Sequence, residues 1–168
     1  MIFEFCPFCG SRLIGKEIGD EGEVPFCEAC QRPHFPTFST CVICLCVNEF
    51  EEAVLIKQDY TGDRHILIAG YMKPGESAEE AVAREIEEEV GLKAESIRYA
   101  FSKFYEKRDQ LMLAYICKVK KAELKPSPKE VNEAGWYTIK EAAVLLSKGY
   151  VTSLLVEKYS ELKENGIL

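Results

Sequence analysis

Residues 70–92, GYMKPGESAEEAVAREIEEEVGL, predict a helix whose two ends are marked in the sequence. Ser77, followed three residues later by Glu80, is a capping box, and Gly91 suits the position just past a helix end. At about 100° per residue, one apolar stripe forms along this helix, made of Val82, Ile86 and Val90. The segment therefore predicts a helix at about 78–90 with one side packed against a core.

Acidic residues border the apolar stripe of this helix. Glu85, Glu88 and Glu89, spaced i, i+3, i+4, fall together on a neighbouring stripe. Arg84 and Glu87 are expected farther round, toward solvent. Like charges this close destabilise a helix unless a cation compensates them, and oxygen ligands on a rigid element suit magnesium or manganese. The alternative is an ordinary solvated face, because helices favour glutamate.

The first 36 residues differ from the rest, with two Cys-x-x-Cys pairs, many glycines and prolines and few aliphatic residues. Two such turns supply the tetrahedral sulfur set that zinc prefers, here from Cys6, Cys9, Cys27 and Cys30. Four protein ligands leave no open position, so the predicted site is structural and contributes to folding. Four unrelated thiols or a pair of disulfides are the alternative.

The other four cysteines favour a different interpretation. Cys41, Cys44 and Cys46 lie in an apolar, strand-like run in which Cys41 points to the opposite face from the other two. Cys117 lies in the apolar run LMLAYICKV. All four are expected to be small buried apolar residues rather than ligands.

From residue 37 to 168 the pattern predicts one α/β domain. Apolar strands are separated by turn residues, a hairpin is expected with strands at 97–105 and 111–119, and prolines make 120–135 a loop. The remaining predicted elements are strands within FSTCVICLCV, EAVLIKQ, HILIAG and WYTI and helices at 139–147, with Thr138 as N-cap, and 152–164.

Composition excludes several classes of protein. No apolar run approaches the roughly 20 residues that cross a bilayer, so no membrane partner is expected. The start, MIFEFCPFCG, lacks the features of a signal peptide, which favours a reducing, cytoplasmic location. The formal net charge of -7 argues against broad, charge-driven binding to nucleic acid, although bound cations can reverse a local field.

Residues 70–92 also resemble the signature of the Nudix hydrolase family, G-x5-E-x7-R-E-U-x-E-E-x-G-U, where U is a bulky aliphatic. All nine specified positions are filled, by Gly70, Glu76, Arg84, Glu85, Ile86, Glu88, Glu89, Gly91 and Leu92. The resemblance implies an α-β-α sandwich with a mixed sheet and cleavage of nucleoside diphosphates linked to another group, with divalent metals.

The same resemblance implies roles for particular residues. Glu85 and Glu89 would be metal ligands and Glu88 a ligand or its close support. Arg84 would orient the carboxylates, and the carbonyl of Ala69 would touch a metal. Metal ions at such a site neutralise the pyrophosphate, activate a water molecule and stabilise the leaving oxygen.

Over roughly residues 3–156 the chain looks most like the NADH pyrophosphatase branch of that family, which carries a four-cysteine zinc ribbon before the Nudix domain. The segment PKEVNEAGWY is similar to the part of that branch in which a distant glutamate completes the metal site. This identifies Glu130 as a further ligand or general base. An exposed loop glutamate is the alternative.

The resemblance to that branch is weaker in the segment that determines substrate specificity. That branch carries S-Q-P-W-P-F-P-x-S where this chain has SKFYEKRDQ, residues 102–110, so the prolines and the glutamine are gone. Ser102 remains and Tyr105 replaces the tryptophan, which keeps an aromatic surface for a ring. The candidate contacts to ring or phosphate are Phe35, Tyr71, Lys103 and Tyr105, for which packing in the core is the alternative, and Thr152 near the last helix start.

The leading hypothesis is a magnesium- or manganese-dependent enzyme that cleaves NAD(H) to AMP and nicotinamide mononucleotide. The same chemistry on ADP-ribose or a related nucleotide is the nearest alternative, and the acidic charge disfavours NAD-capped RNA. A non-catalytic nucleotide sensor is a third hypothesis, against which all the metal-binding glutamates are retained. The related enzymes are dimeric, so a homodimer is expected.

Overall fold

The computed structural model of the chain describes residues 3–168, which divide into two compact units after Ser39. The sequence places the boundary slightly earlier, after residue 36. None of the helices in the described part of the chain is long and apolar enough to cross a membrane.

The N-terminal unit is a three-stranded antiparallel sheet. Its strands are β1 (Ile14–Glu17), β2 (Glu23–Cys27) and β3 (Arg32–Pro33), in the order β1-β2-β3. Its buried apolar side chains are few among the described residues, chiefly Val24 and Phe26 together with two cysteines. A core this small supplies little free energy of folding, so the unit needs a further stabilising element such as a metal.

The C-terminal unit is built on a six-stranded sheet. Five strands follow the order β7-β8-β4-β5-β9, and β6 pairs with β4 along the edge that β5 leaves free. The strand bounds are β4 (Ser39–Val47), β5 (Glu52–Lys57), β6 (Ile68–Tyr71), β7 (Ala94–Tyr105), β8 (Gln110–Val119) and β9 (Glu133–Thr138). The predicted hairpin is confirmed as β7 and β8, which pair antiparallel from Ala94 to Tyr105.

Three helices cover the two faces of this sheet. Helix α1 (Ala78–Val90) packs on one face, and helices α2 (Ile139–Leu145) and α3 (Val151–Glu164) pack on the other. Every residue of the central strand from Val42 to Val47 is buried, because even-numbered side chains face α1 and odd-numbered ones face α2 and α3. The predicted α/β sandwich with a mixed sheet is confirmed.

Helix α1 begins and ends where the sequence predicts. The Ser77 hydroxyl accepts a hydrogen bond from the Glu80 N–H (3.3 Å), and the Glu80 carboxylate accepts one from the Ser77 N–H (2.7 Å). Gly91 has a left-handed φ of 70°, and its N–H donates to the carbonyl of Glu87. The buried apolar side comprises Ala81, Val82, Ile86 and Val90.

The other elements differ from the predictions mainly at their ends. Strand β9 begins at Glu133 and includes residues expected in the preceding loop, because it pairs with the whole of β5. Helix α2 ends at Leu145, two residues early, although Thr138 caps it as predicted. Helix α3 starts at Val151, after Tyr150.

We predict that Ser77→Ala destabilises the protein by about 1 kcal/mol, since the Glu80 N–H in the first turn of α1 loses its side-chain acceptor. Urea unfolding measures the change in the free energy of unfolding. Ser96→Ala is the matched control, because Ser96 is exposed on β7, and its effect should stay within about 0.5 kcal/mol. Equal losses in the two variants would contradict a role for the capping box.

Candidate functional site

The glutamates of α1 lie in different environments. Glu85 and Glu89 are buried, with 7% and 2% of their surfaces exposed, whereas Glu87 and Glu88 are exposed. Glu85, Glu88 and Glu89 line one cavity of the C-terminal unit, and Glu87 does not line it. The three therefore share one side of the helix, as their spacing predicts.

Arg84 lies at the centre of this carboxylate cluster, so the expectation that it faces solvent is wrong. Its side chain is only 19% exposed. Nη1 donates to Glu85 (2.6 Å) and Glu88 (2.9 Å), Nε and Nη2 donate to the Glu76 carboxylate (3.0 and 2.7 Å), and Nη2 also donates to the Tyr71 carbonyl. The helical angle fixes only where its Cα lies, and the long side chain reaches back over the preceding turn.

Glu76 fixes the loop before α1 to the helix. The hydrogen bonds from the Arg84 guanidinium, followed by the backbone N–H of Lys73, lower the pKa of Glu76 to about 2. The same guanidinium lowers the pKa of Glu88. Arg84 therefore keeps both carboxylates charged while it holds the loop against the helix.

Gly70 explains why the Glu85 carboxylate can lie against strand β6. A Cβ atom built on residue 70 would overlap the carboxyl group of Glu85. Ala69 and Gly70 line the same cavity as the carboxylates. The first glycine of the motif is thus required by the close approach of a side chain to the backbone.

Glu89 is the most deeply buried carboxylate of the cluster. Burial, followed by the charge of Glu85, raises its pKa to about 8. One oxygen accepts a hydrogen bond from Gln58 Nε2 (2.9 Å), and the other has no hydrogen-bond partner within the described residues. A buried carboxylate oxygen without a partner, beside a second carboxylate, is the arrangement that a divalent cation would complete.

Glu130 reaches the same cavity from the loop between β8 and β9. That loop is tied to the end of α1, because the N–H groups of Lys125 and Ser127 donate to the carbonyls of Val90 (2.9 Å) and Glu89 (3.0 Å). The N–H of Glu130 donates back to the Ser127 carbonyl (3.1 Å). The helix end therefore positions a fourth acidic side chain, 41 residues later in the chain than Glu89.

The cavity has a volume of about 750 Å³, within the range of small-molecule sites. Three cationic side chains, those of Lys73, Arg108 and Lys129, also line it, and Lys73 Nζ lies 3.4 Å from the Glu88 carboxylate. Two largely exposed aromatic rings, of Tyr60 and Tyr71, also line it. The cavity thus combines metal-binding oxygens, cations for phosphate groups and rings for a base.

The structure separates the predicted substrate contacts. Tyr71 lines the cavity, but Lys103, Tyr105 and Thr152 are not among its lining residues. Lys103 and Tyr105 pair across the hairpin with Met112 and Gln110, which do line it. Phe35 belongs to the N-terminal unit, where it lines a separate cavity. The roles of these four residues stay predictions.

Sequence reasoning missed several cavity residues. Gln58, Tyr60, Arg108 and Lys129 come from three loops or strand ends far apart in the chain. Gln58 follows Lys57 just after the end of β5, and a polar residue at a strand end gives no local sign that its amide is buried against Glu89. Arg108 lies in the divergent segment 102–110, where only Lys103 and Tyr105 were singled out.

The four N-terminal cysteines form a second cluster. The sulfur atoms of Cys6, Cys9, Cys27 and Cys30 lie within 4.8 Å of one another and are free thiols. The Cys30 N–H donates to Cys27 Sγ (3.3 Å), and hydrogen bonding with Ser11 lowers the pKa of Cys9 to about 6. This arrangement can hold a tetrahedral zinc ion.

The sequence matches known proteins in the region of the cavity and beyond it. Residues 37–154 match the model of the NUDIX domain family. The chain is 28% identical over 156 residues to the NAD-capped RNA hydrolase NudC of Photobacterium profundum, and 30% identical over 156 residues to that of Salmonella paratyphi B. The matches cover 92% of this chain but only 57% and 59% of those relatives.

Solved structures share the fold. A NUDIX hydrolase from Nitrosomonas europaea matches with a TM-score of 0.76 at 22% identity, covering 98% of this chain and 94% of that one. The NUDIX domain of Shewanella oneidensis NrtR, solved with ADP ribose, matches with a TM-score of 0.65 at 13% identity, covering 76% of this chain and 89% of its own. At these identities the likeness extends to the fold alone.

The buried charge of Glu89 predicts a pH dependence of stability. Its pKa is raised from 4.5 to about 8 in the fold, so the folded chain keeps a proton that the unfolded chain loses. Stability should therefore fall as the pH rises from about 4.5 toward 8, by up to about 1.4 kcal/mol per pH unit. In Glu89→Gln this contribution should disappear.

Urea unfolding at several pH values, without added magnesium or manganese, measures this slope. Glu87→Gln is the matched control, because Glu87 is an exposed neighbour on the same helix, and its slope should equal that of the wild type. If the Glu89 and Glu87 variants gave the same slope, the buried carboxylate would not be its cause.

For the cysteine cluster we predict that Cys27→Ser lowers the zinc content from about one ion per chain to nearly none and unfolds the N-terminal unit. A chelating dye, added after denaturation, measures the zinc. Cys41→Ser is the control, since Cys41 is equally buried but belongs to the C-terminal unit. Zinc retained by the Cys27 variant would contradict the predicted site.

Proposed function

The chain belongs to the Nudix family, and on that basis we propose that it is a divalent-metal-dependent pyrophosphohydrolase acting on NAD(H) or a closely related dinucleotide. One observation carries the proposal. Glu85 and Glu89 are buried side by side on a cavity of about 750 Å³, and an oxygen of Glu89 has no partner among the described residues. A buried pair of like charges costs free energy unless a cation joins them.

The residues of the cavity fit magnesium or manganese. Glu85 and Glu89 would hold the ions, Glu88 would bind or support them from the exposed rim, and the carbonyl of Ala69 would add a neutral oxygen. Hard oxygen ligands of this kind are the set that these two metals prefer. Bound metal would neutralise the pyrophosphate and activate a water molecule.

Side chains of the protein would position the metal ligands and accept the proton of the attacking water. Arg84 orients Glu85 and Glu88 through its hydrogen bonds and keeps Glu76 on the loop before the helix. Glu130 serves as a further metal ligand or accepts the proton of the attacking water. In the reaction one bond forms between a phosphorus and the water oxygen, and the bond from that phosphorus to the bridging oxygen breaks, which releases AMP and nicotinamide mononucleotide.

Substrate binding uses the cationic and aromatic side chains that line the cavity beside the carboxylates. Lys73, Arg108 and Lys129 supply cations for the phosphates, and the rings of Tyr60 and Tyr71 supply surfaces on which a base or nicotinamide can stack. The predicted contacts from Lys103, Tyr105, Thr152 and Phe35 remain part of the proposal.

The choice of NAD(H) follows the resemblance of residues 3–156 to the NADH pyrophosphatase branch, and it is supported by the relatives that act on an NAD cap, of which this chain spans less than two thirds. ADP-ribose is the alternative, because segment 102–110 lacks the prolines and glutamine of the NADH pyrophosphatase motif. The relatives are named as hydrolases of NAD-capped RNA, but a net charge of -7 disfavours a long RNA partner. A purely sensing module is disfavoured by the complete set of glutamates.

Three further expectations belong to the proposal. The N-terminal cysteines hold a structural zinc ion. The protein works as a homodimer, which light scattering would contradict if it gave the mass of one chain. It acts in the cytoplasm, where a reducing environment keeps its eight cysteines as thiols.

A substrate panel tests the proposed reaction. NADH, NAD, ADP-ribose, diadenosine polyphosphates and nucleoside triphosphates are each incubated with magnesium or with manganese, and the products are identified. We expect AMP and nicotinamide mononucleotide from NADH at the highest kcat/KM. Faster cleavage of ADP-ribose would replace the substrate but keep the reaction, whereas no cleavage of any compound would favour the sensor.

For the carboxylates we predict that Glu89→Gln lowers kcat at least about 100-fold, since a metal-binding oxygen and its charge are lost. Glu87→Gln is the matched control, because it makes the same chemical change at a residue of the same helix that does not line the cavity. Its kcat should change less than about twofold. Metal-dependent hydrolysis that survived in Glu89→Gln would remove Glu89 from the site.

A further inference from the structure

A second group of thiols lies in the core of the C-terminal unit. The sulfur atoms of Cys44, Cys46 and Cys117 all lie within 4.8 Å of one another, and those of Cys44 and Cys46 are 3.9 Å apart. The three residues are at most 1% exposed. The proposed hydrolysis does not use them, since none lines the catalytic cavity.

The fold brings these thiols together on one face of the sheet. Cys44 and Cys46 are alternate residues of β4, so both point toward the core beneath α1, and Cys117 comes from the neighbouring strand β8. Val82 and Ile86 of α1 belong to the same buried cluster. The surroundings of the three sulfurs are therefore largely apolar.

This environment favours neutral groups. All three thiols are at most 1% exposed and lie among apolar side chains, where a net charge loses the solvation that water would give it. A ligand that leaves the cluster uncharged is strongly favoured over one that leaves a net charge.

We propose that Cys44, Cys46 and Cys117 form a trithiol site for a trivalent thiophilic metalloid of the arsenic(III) and antimony(III) class. Three thiols react with one molecule of arsenous acid, As(OH)3. Three As–S bonds form, three As–O bonds break, and each thiol proton leaves with a hydroxyl group as water. No electron is transferred, and the product carries no charge.

The net charge of the bound complex also gives this site a different ligand preference from the N-terminal cysteine site. A divalent ion such as zinc or cadmium with three thiolates would leave one negative charge in the core, and copper(I) would leave two. The four N-terminal thiols include the exposed Cys9, and charge at such a site is tolerated because water can solvate it. Zinc is therefore expected at the N-terminal cysteines and the metalloid at the core cysteines.

Binding should join β4 to β8 beneath helix α1. A ligand held by three side chains on two strands is present only in the folded state, so it stabilises that state by mass action. The expected signs are a covalent adduct and a higher midpoint of thermal unfolding.

The test uses the full chain. The protein is refolded with zinc and a phosphine reductant, with and without arsenous acid, so that access to the buried thiols does not limit binding. Intact-mass measurement should show one arsenic gained and three hydrogens lost per chain, with zinc content unchanged and a raised thermal midpoint. Absence of the adduct, or an adduct that forms only with loss of zinc, would overturn the proposal.

Matched alanine variants locate the site. Cys117→Ala should lose both the arsenic adduct and the rise in the thermal midpoint. If Cys117→Ala does not fold, Cys44→Ala tests the same expectation. Cys41→Ala removes a buried thiol of the same strand outside the cluster and should keep the adduct. An adduct retained by folded Cys117→Ala and Cys44→Ala would assign arsenic to other thiols and refute the trithiol site.

Discussion

The burial of two carboxylates beside the apolar stripe of α1 is the constraint on which the rest of the candidate site depends. Glu85 and Glu89 repel each other in a region of low dielectric, and without compensation this would cost several kcal/mol. Arg84 offsets part of that cost by bonding Glu85, and Gln58 binds one oxygen of Glu89. The remaining unpartnered oxygen is the position that the proposed metal ion would complete.

The layered fold keeps a complete apolar core although two carboxylates are buried. Helix α1 covers one face of the sheet, and α2 and α3 cover the other, so the central strand β4 is buried from Cys41 to Val47. The carboxylates lie at the edge of the α1 layer, where the apolar cluster ends and the cavity begins. One helix therefore supplies both apolar side chains to the core and carboxylates to the cavity.

The sequence predicted the helix well because its ends are set by local chemistry. The Ser77 capping box and Gly91 act within a few residues, so their effects can be recognised without tertiary information. The spacing of Glu85, Glu88 and Glu89 likewise follows from helical geometry. The position of the Arg84 side chain could not be derived this way, because it depends on Glu76 and Tyr71 in the folded loop.

The missed cavity residues have the same explanation. Tyr60, Arg108 and Lys129 lie in short turns with no periodic pattern, and only the assembled sheet brings them together. The strand alternation that pairs Cys44 with Cys46 is visible in the sequence, but the placement of Cys117 beside them requires β8 to be next to β4. Long-range neighbours of this kind are set by topology, which a single sequence specifies weakly.

The hydrogen bonds from Lys125 and Ser127 to the last carbonyls of α1 have a consequence for how this loop can change in length. They fix the position of Glu130 relative to the helix end. The first part of the loop is held as well, because the N–H of Lys121 donates to Glu49, the carbonyl of Ala122 accepts from Trp136, and Leu124 packs against the core. The loop is therefore fixed at both ends, so residues added or removed between β8 and Glu130 would break contacts with the turn before β5, with β9 or with the end of α1.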